Sequence, residues 1–135
     1  ASIISKNKKI RVLVDNIQKK YAYKPPIKYS GSCLDGRDIT YKILPDADFK
    51  FFLTANLKTR AKRRYKELKK LNKKIKYNEV LNSIKQRDKS DYKRKISPLK
   101  RTKDSILIDT TNLSIKKCFI KIKNIIDKSL KKNKS

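Results

Sequence analysis

The sequence predicts an α/β fold with parallel strand pairing. Three short apolar runs, at 33–34, 49–54 and 105–109, are the candidate strands, and longer segments with helical periodicity surround them. Short apolar strands that alternate with amphipathic helices are typical of parallel α/β sheets flanked by helices. The chain of 135 residues is long enough for one domain with its own core.

Four helices are predicted. The first covers 7–22 and ends before Pro25-Pro26; Asn56 can cap a second over 57–71; a third begins near Tyr77; Ser114 can cap a fourth. Each of three helices has a stripe of apolar side chains at helical spacing. In the first helix these are Ile10, Leu13, Val14, Ile17 and Tyr21, and in the second Leu57, Ala61, Tyr65, Leu68 and Leu71. In the fourth helix they are Ile115, Cys118, Phe119, Ile122, Ile126 and Leu130, which we expect to face inward.

The strand predictions differ in strength. The run at 49–54 is aromatic and β-prone, which predicts a buried strand. The pair at 33–34 is expected to run into Asp35-Gly36-Arg37-Asp38, at the carboxyl edge of the sheet, where α/β folds place ligands.

Composition excludes several kinds of chemistry. With no His, the chain has no His-based catalytic triad or His metal ligand, and two Cys cannot build a zinc site. Two Gly cannot form a G-x-G-x-x-G or a G-x-x-x-x-G-K-[ST] phosphate loop. The two Cys and the lack of an apolar stretch long enough for a bilayer predict a cytoplasmic protein without membrane association, which we expect to be a monomer.

The net charge of +27 has two explanations. It can reflect a solvated surface with a compositional bias toward Lys, or a selected affinity for polyanions. Weak, salt-sensitive binding of nucleic acid is expected in either case.

The third helix carries the first candidate site. Its apolar stripe of Tyr77, Val80, Leu81 and Ile84 continues at helical spacing as Arg87, Asp91 and Arg94. This change predicts either the polar wall of a cleft, where guanidinium groups bind phosphate and the carboxylate binds hydroxyls, or an exposed ladder of ion pairs.

Three arginines on the second helix form another candidate. Arg60, Arg63 and Arg64 lie on neighbouring turns, where their charges repel unless an anion lies between them. A solvated basic face is the alternative interpretation.

Several motifs in one order resemble the bacterial cytidylate kinase family. They extend over nearly the whole chain: Asp35-Gly36-Arg37-Asp38-Ile39, Leu44-Pro45-Asp46-Ala47-Asp48, Phe52-Leu53-Thr54-Ala55, Arg60-Ala61-Lys62-Arg63-Arg64-Tyr65, the run from Arg87 to Arg94, Ser97-Pro98-Leu99-Lys100, and Ile108-Asp109-Thr110-Thr111.

The resemblance implies a P-loop NTPase-type fold, like that of nucleoside monophosphate kinases, and transfer of the ATP γ-phosphoryl group to CMP or dCMP, with ATP and Mg²⁺ as cofactors. It assigns Ser2, Arg11 and Asp38 to the cytosine ring, Arg87 and Asp91 to the sugar side, and Arg37 and Arg94 to the CMP phosphate. Arg64, with Arg60 and Arg63, would be catalytic at the root of a mobile lid at about 70–90, and 131–135 would be a frayed basic tail.

The sequence departs from the family pattern in two places. Thr40 and Tyr41 follow the Arg-Asp-Ile run, where the family usually has Gly, which affects the backbone beside Asp38. The phosphate loop is also missing, so we expect a C-terminal portion, incomplete at its N-terminus and inactive alone because ATP and Mg²⁺ cannot be bound in full. A basic module that binds nucleic acid or the ribosome is the alternative function.

Overall fold

The computed structural model describes residues 7–133, which divide into two compact units. The first unit is formed by the chain up to Asp48 together with Ser90–Asp104. The second unit is formed by Phe49–Lys89 together with the chain from Ser105 onward.

The first unit contains one long helix and one π-helical turn. Helix α1 (Lys8–Tyr23) begins after Asn7, whose side chain accepts hydrogen bonds from the backbone N–H groups of Lys9 and Ile10. The π-helical turn, Ile39–Ile43, buries the side chains at both of its ends. Gly36 lies shortly before this turn, and a Cβ at its position would lie only 2.8 Å from the Ile39 side chain. The π-helical turn, which begins directly after Asp38, contacts α1.

A parallel two-stranded sheet lies in the second unit. Strand β1 (Phe51–Thr54) pairs with β2 (Ile106–Asp109) in a register that joins Phe51 to Ile106 and Thr54 to Asp109. This confirms the predicted α/β class with parallel pairing. Buried apolar side chains of this unit are Ala55, Ala61, Val80 and Ile108.

Two of the remaining helices begin after the caps predicted for them. Helix α2 (Leu57–Leu71) is capped by Asn56, which accepts from the N–H of Thr59, and α4 (Ile115–Lys132) by Ser114, which accepts from the N–H of Lys117. Between them, α3 covers Tyr77–Lys93. Its first turn packs on α2, since the rings of Tyr65 and Tyr77 meet edge to face with centroids 5.9 Å apart.

One strand prediction is wrong, and another is wrong in part. Residues 33–34 form no strand; Cys33 is exposed, and the first unit contains no described strand with which a two-residue run could pair. The run at 49–54 becomes a strand only from Phe51, and Leu53 on it is 54% exposed rather than buried.

The apolar faces of α1 and α4 are largely exposed. In α4, Ile115, Phe119 and Leu130, expected inward, are exposed, while Cys118, Ile122 and Ile126 are only half-buried. All five apolar residues that define the predicted α1 stripe are exposed as well. Periodicity identified the helices correctly, but among the described residues nothing covers these faces. None of the described helices meets the length and apolarity that a membrane span requires.

Candidate functional site

The polar face of α1 is the one that packs within the first unit. Arg11 and Asp15, one turn apart, are half-buried, and a guanidinium N–H of Arg11 donates to the carboxylate of Asp38. The exposed fractions of these two side chains, 15% for Arg11 and 8% for Asp38, make this a largely desolvated ion pair. Asp15 lies 3.9 Å from the same Arg11 nitrogen and 2.7 Å from the Lys42 ammonium. These ion pairs therefore explain why the polar face of α1 packs against the rest of the first unit.

A second ion pair lies in the same unit. The Nε of Arg37 donates to Asp91 at 2.6 Å, and Arg94 lies 3.9 Å from the other oxygen of Asp91. The Nε of Arg94 also donates to the backbone carbonyl of Ser97 at 2.5 Å. We call Arg11, Arg37, Asp38, Asp91 and Arg94 the arginine–aspartate cluster. Sequence reasoning selected all five, and the structure brings them into one compact unit.

One donor in this cluster is unsatisfied. The Nε of Arg11 is buried and has no hydrogen-bond partner in the part of the chain that the structure describes. A buried donor without a partner costs about 1–3 kcal/mol. Together with Lys42 and Asp15, the cluster holds four cations and three carboxylates, so it carries a net positive charge suited to an anionic ligand.

Asp15, Lys42 and Ser97 are the participants that sequence reasoning missed. Asp15 was detectable, because it follows Arg11 by four residues on a predicted helix and such pairs interact. Lys42 gave no signal of its own, and Ser97 was noted only as part of the Ser97-Pro98-Leu99-Lys100 motif, without a role at the site. Lys42 reaches Asp15 only because the π-helical turn lies beside α1.

The three arginines of α2 lie in the second unit, and each has its own protein partner. Arg60 makes two hydrogen bonds of 2.7 Å to Asp88 and a third from its Nε to the carbonyl of Ala55. Arg63 donates to the hydroxyl and carbonyl of Thr110, just after β2. These contacts hold Arg60 and Arg63 at the carboxyl edge of the sheet.

Arg64 is the most accessible of the three arginines. Its guanidinium pairs with Glu67 at 2.7 Å, and both side chains are at least half exposed. Because each arginine has a carboxylate or carbonyl partner, an anion between them is not needed to explain their spacing. Asp88 was missed as a partner, although it lies within the run from Arg87 to Arg94.

Two other site predictions lie elsewhere. Arg87 is on α3 within the second unit and is exposed. Ser2 lies outside the described residues, so its assignment to the cytosine ring remains a prediction.

Two pKa shifts bear on these regions. Burial, reinforced by the charge of Asp38, raises the pKa of Tyr41. The hydroxyl and backbone N–H of Thr111 both donate to Asp109 at the end of β2, which lowers the pKa of that carboxyl.

Comparisons with known proteins show the family to which the chain belongs. A family model described as cytidylate kinase matches residues 1–128. The chain belongs to the cytidylate kinase family. It is 46% identical over 125 residues to a cytidylate kinase of Clostridium tetani, covering 93% of this chain and 53% of that protein. For a cytidylate kinase of Bartonella tribocorum, the identity is 44% over 131 residues, covering 97% of this chain and 59% of that protein.

Membership in the cytidylate kinase family confirms the resemblance inferred from the motifs. The chain spans 53–59% of the length of these two relatives. At the departure from the family pattern, Thr40 and Tyr41 lie in the π-helical turn, where the N–H of Leu44 donates to the carbonyl of Ile39 at 2.7 Å. Asp38 stays buried and paired directly before it.

The described residues do not fit the ATP–Mg²⁺ part of a cytidylate kinase site. No group of three or more Asp, Glu, Cys or His among residues 7–133 could hold a metal ion. The sequence contains no glycine-rich phosphate loop, whose backbone N–H groups would surround the ATP phosphates. What the chain does offer is the arginine–aspartate cluster.

Proposed function

We propose that this chain is the CMP-binding and lid-bearing portion of a cytidylate kinase, an enzyme that transfers the γ-phosphoryl group of ATP to CMP or dCMP and yields CDP or dCDP. The observation that carries the proposal is the arginine–aspartate cluster, in which Arg11–Asp38 and Arg37–Asp91 are paired within one unit. Family membership favours this function over a basic module that binds nucleic acid or the ribosome.

The base would be recognised at the more buried end of the cluster. A carboxylate accepts hydrogen bonds from the exocyclic amino group of cytosine, whereas the carbonyl that uracil has at the same position would be repelled. Asp38 offers that acceptor, and the unsatisfied Nε of Arg11 offers a donor for a ring acceptor. This chemistry supports cytosine over uracil.

The nucleotide phosphate would bind at the more accessible end. Arg37 and Arg94 both lie near Asp91, and their side chains are 33% and 22% exposed. A phosphate group can accept two parallel, charge-assisted hydrogen bonds from a guanidinium group. We expect the phosphate to bind Arg37 and Arg94, with the carboxylate of Asp91 beside them accepting a hydrogen bond from a sugar hydroxyl.

Other elements of the proposal concern the second unit. Phosphoryl transfer depends mainly on positioning and charge stabilisation, which is the role that we propose for Arg64, with Arg60 and Arg63. The segment at about 70–90 would be the lid that excludes water. ATP and Mg²⁺ need a phosphate loop that this chain does not contain, so we expect no CMP kinase activity from the chain alone.

Charge reversal at the phosphate end tests the proposal. We expect Arg94→Glu to weaken CMP binding, measured by titration calorimetry, by about 10- to 100-fold, since a charge-assisted hydrogen bond contributes about 1.5–3 kcal/mol. Lys95→Glu is the matched control because it makes the same charge change at an exposed neighbour. Binding of a short single-stranded RNA should change equally in both variants.

Two results would contradict the proposal. The first is a chain that binds RNA tightly and is indifferent to CMP, as a nucleic-acid module would be. The second is equal CMP affinity of the Arg94→Glu and Lys95→Glu variants.

A further inference from the structure

The turn that follows α3 has an uncommon backbone. Ser97 has φ 51°, the only positive value among the described residues other than glycine, and it is buried. A serine in the left-handed region is strained and persists only where its surroundings hold it. The conformation of Ser97 therefore depends on the hydrogen bonds around it.

Both polar groups of Ser97 bind arginines of the cluster. Its hydroxyl accepts from the Nη2 of Arg11 at 2.8 Å, on the same nitrogen that donates to Asp38. Its carbonyl accepts from the Nε of Arg94. One residue thus contacts the guanidinium groups assigned to opposite ends of the nucleotide.

Two side chains of the π-helical turn hold this turn in place, and one of them, Tyr41, stands where the sequence departs from the family pattern. The hydroxyl of Tyr41 donates to the carbonyl of Pro98 at 2.5 Å, and the Lys42 ammonium lies 3.3 Å from the Ser97 hydroxyl. The N–H of Leu99 donates to the carbonyl of Asp91 at 2.8 Å, which closes the turn on the end of α3.

We propose that Ser97 is a positioning residue: its hydroxyl orients Arg11, and its carbonyl, directed by the left-handed backbone, orients Arg94 for a pyrimidine nucleoside monophosphate. This inference rests on the proposed function of the cluster. Tyr41 and Lys42 support the turn from the π-helical side, so Tyr41, at the departure from the family pattern, takes part in orienting the site.

Two substitutions separate the two contacts. Ser97→Gly removes the hydroxyl but favours the left-handed backbone, so it should release Arg11 and leave Arg94 in place. Ser97→Val disfavours that backbone, so the carbonyl should turn away and release Arg94 as well. Tyr41→Phe loosens the turn without changing Ser97 and replaces Ser97→Val if that variant fails to fold. Lys95→Ala, an exposed change in the same turn, is the control.

The first measurement is nitrogen-15 NMR of the arginine guanidinium groups in the free protein. Loss of its hydrogen bond should speed rotation of the Arg11 NH₂ groups in Ser97→Gly and shift the Arg94 Nε–H signal in Ser97→Val or Tyr41→Phe. The second is CMP affinity by calorimetry, which Ser97→Gly should weaken by about 3- to 10-fold, as for the loss of one hydrogen bond. Ser97→Asn, which tolerates the left-handed backbone and restores an acceptor, should recover part of that affinity.

The two measurements have separate consequences. If both arginine signals respond no more than in Lys95→Ala, the positioning role is overturned. If wild-type protein binds CMP and Ser97→Gly binds it equally well, positioning is again overturned while the proposed function stands. If the signals respond as expected but wild-type protein does not bind CMP, Ser97 does orient the two arginines, and the proposed function is the part that fails.

Discussion

Removal of the Asp38 carboxylate should destabilise the protein far more than removal of an exposed carboxylate. Asp38→Ala leaves the Arg11 guanidinium, whose side chain is 15% exposed, without its principal partner. Breaking a buried ion pair by removing one member costs about 3–5 kcal/mol. Since Asp15 lies 3.9 Å away and compensates part of the charge, we expect about 3 kcal/mol.

Urea unfolding followed by circular dichroism measures this loss. With a denaturant slope of about 1–3 kcal/mol/M, the midpoint should fall by about 1–3 M. Glu67→Ala is the control, because the Arg64–Glu67 pair has side chains 50% and 63% exposed and such pairs contribute less than about 1 kcal/mol.

A double variant shows whether the unpaired charge of Arg11 causes the loss of stability in Asp38→Ala. Arg11→Met with Asp38→Ala removes both charges, and replacing a buried pair by apolar groups is often close to neutral. The double variant should therefore recover more than half of the stability lost in Asp38→Ala. Equal midpoints for Asp38→Ala and Glu67→Ala, or additive losses in the double variant, would refute the reasoning.

Two further predictions concern the second unit. Thr111→Val should raise the pKa of Asp109 toward its ordinary value, because the hydroxyl that donates to the carboxylate is lost. Thr111→Ser keeps a hydroxyl and should leave that pKa depressed. NMR titration of the Asp109 carboxyl group distinguishes the two variants. As the folded-state pKa is depressed, the stability that this carboxyl contributes is present above its unfolded pKa and is lost as pH falls through the folded value. Ala61→Leu should cost about 1–3 kcal/mol in urea unfolding by overpacking a side chain that is 0% exposed, whereas Phe119→Ser, at 65% exposed, should change stability by less than about 0.5 kcal/mol.

Local signals in the sequence were sufficient for the helices. Asn56 and Ser114 are caps whose hydrogen bonds depend only on neighbouring backbone, so α2 and α4 begin where predicted. The apolar runs around Phe51 and Ile106 were likewise sufficient for the two paired strands.

Burial was harder to predict because it depends on distant residues. Periodicity marked an apolar face on α1, but Arg11 and Asp15 are drawn inward by Asp38 and Lys42, which lie far along the chain. In α4, Phe119 is exposed because none of the described residues covers it.

For the candidate site, too, the sequence predicted which residues take part but not all of the contacts between them. The motifs contain Arg37, Asp38, Asp91 and Arg94, and the family resemblance added Arg11, but the contacts that Ser97 and Lys42 make with the cluster were not predicted. The left-handed backbone of Ser97 has no signature in a Ser-Pro pair, which ordinarily favours an extended residue before proline.

The central claim is that the arginine–aspartate cluster binds a cytidine monophosphate. The most direct test is NMR of the arginine guanidinium and backbone amide groups during titration with CMP, with UMP in parallel. We predict saturable shifts concentrated at Arg11, Arg37, Asp38, Asp91 and Arg94, with UMP binding more weakly. Shifts spread over the lysines of the surface, equal for CMP, UMP and inorganic phosphate, would contradict the account.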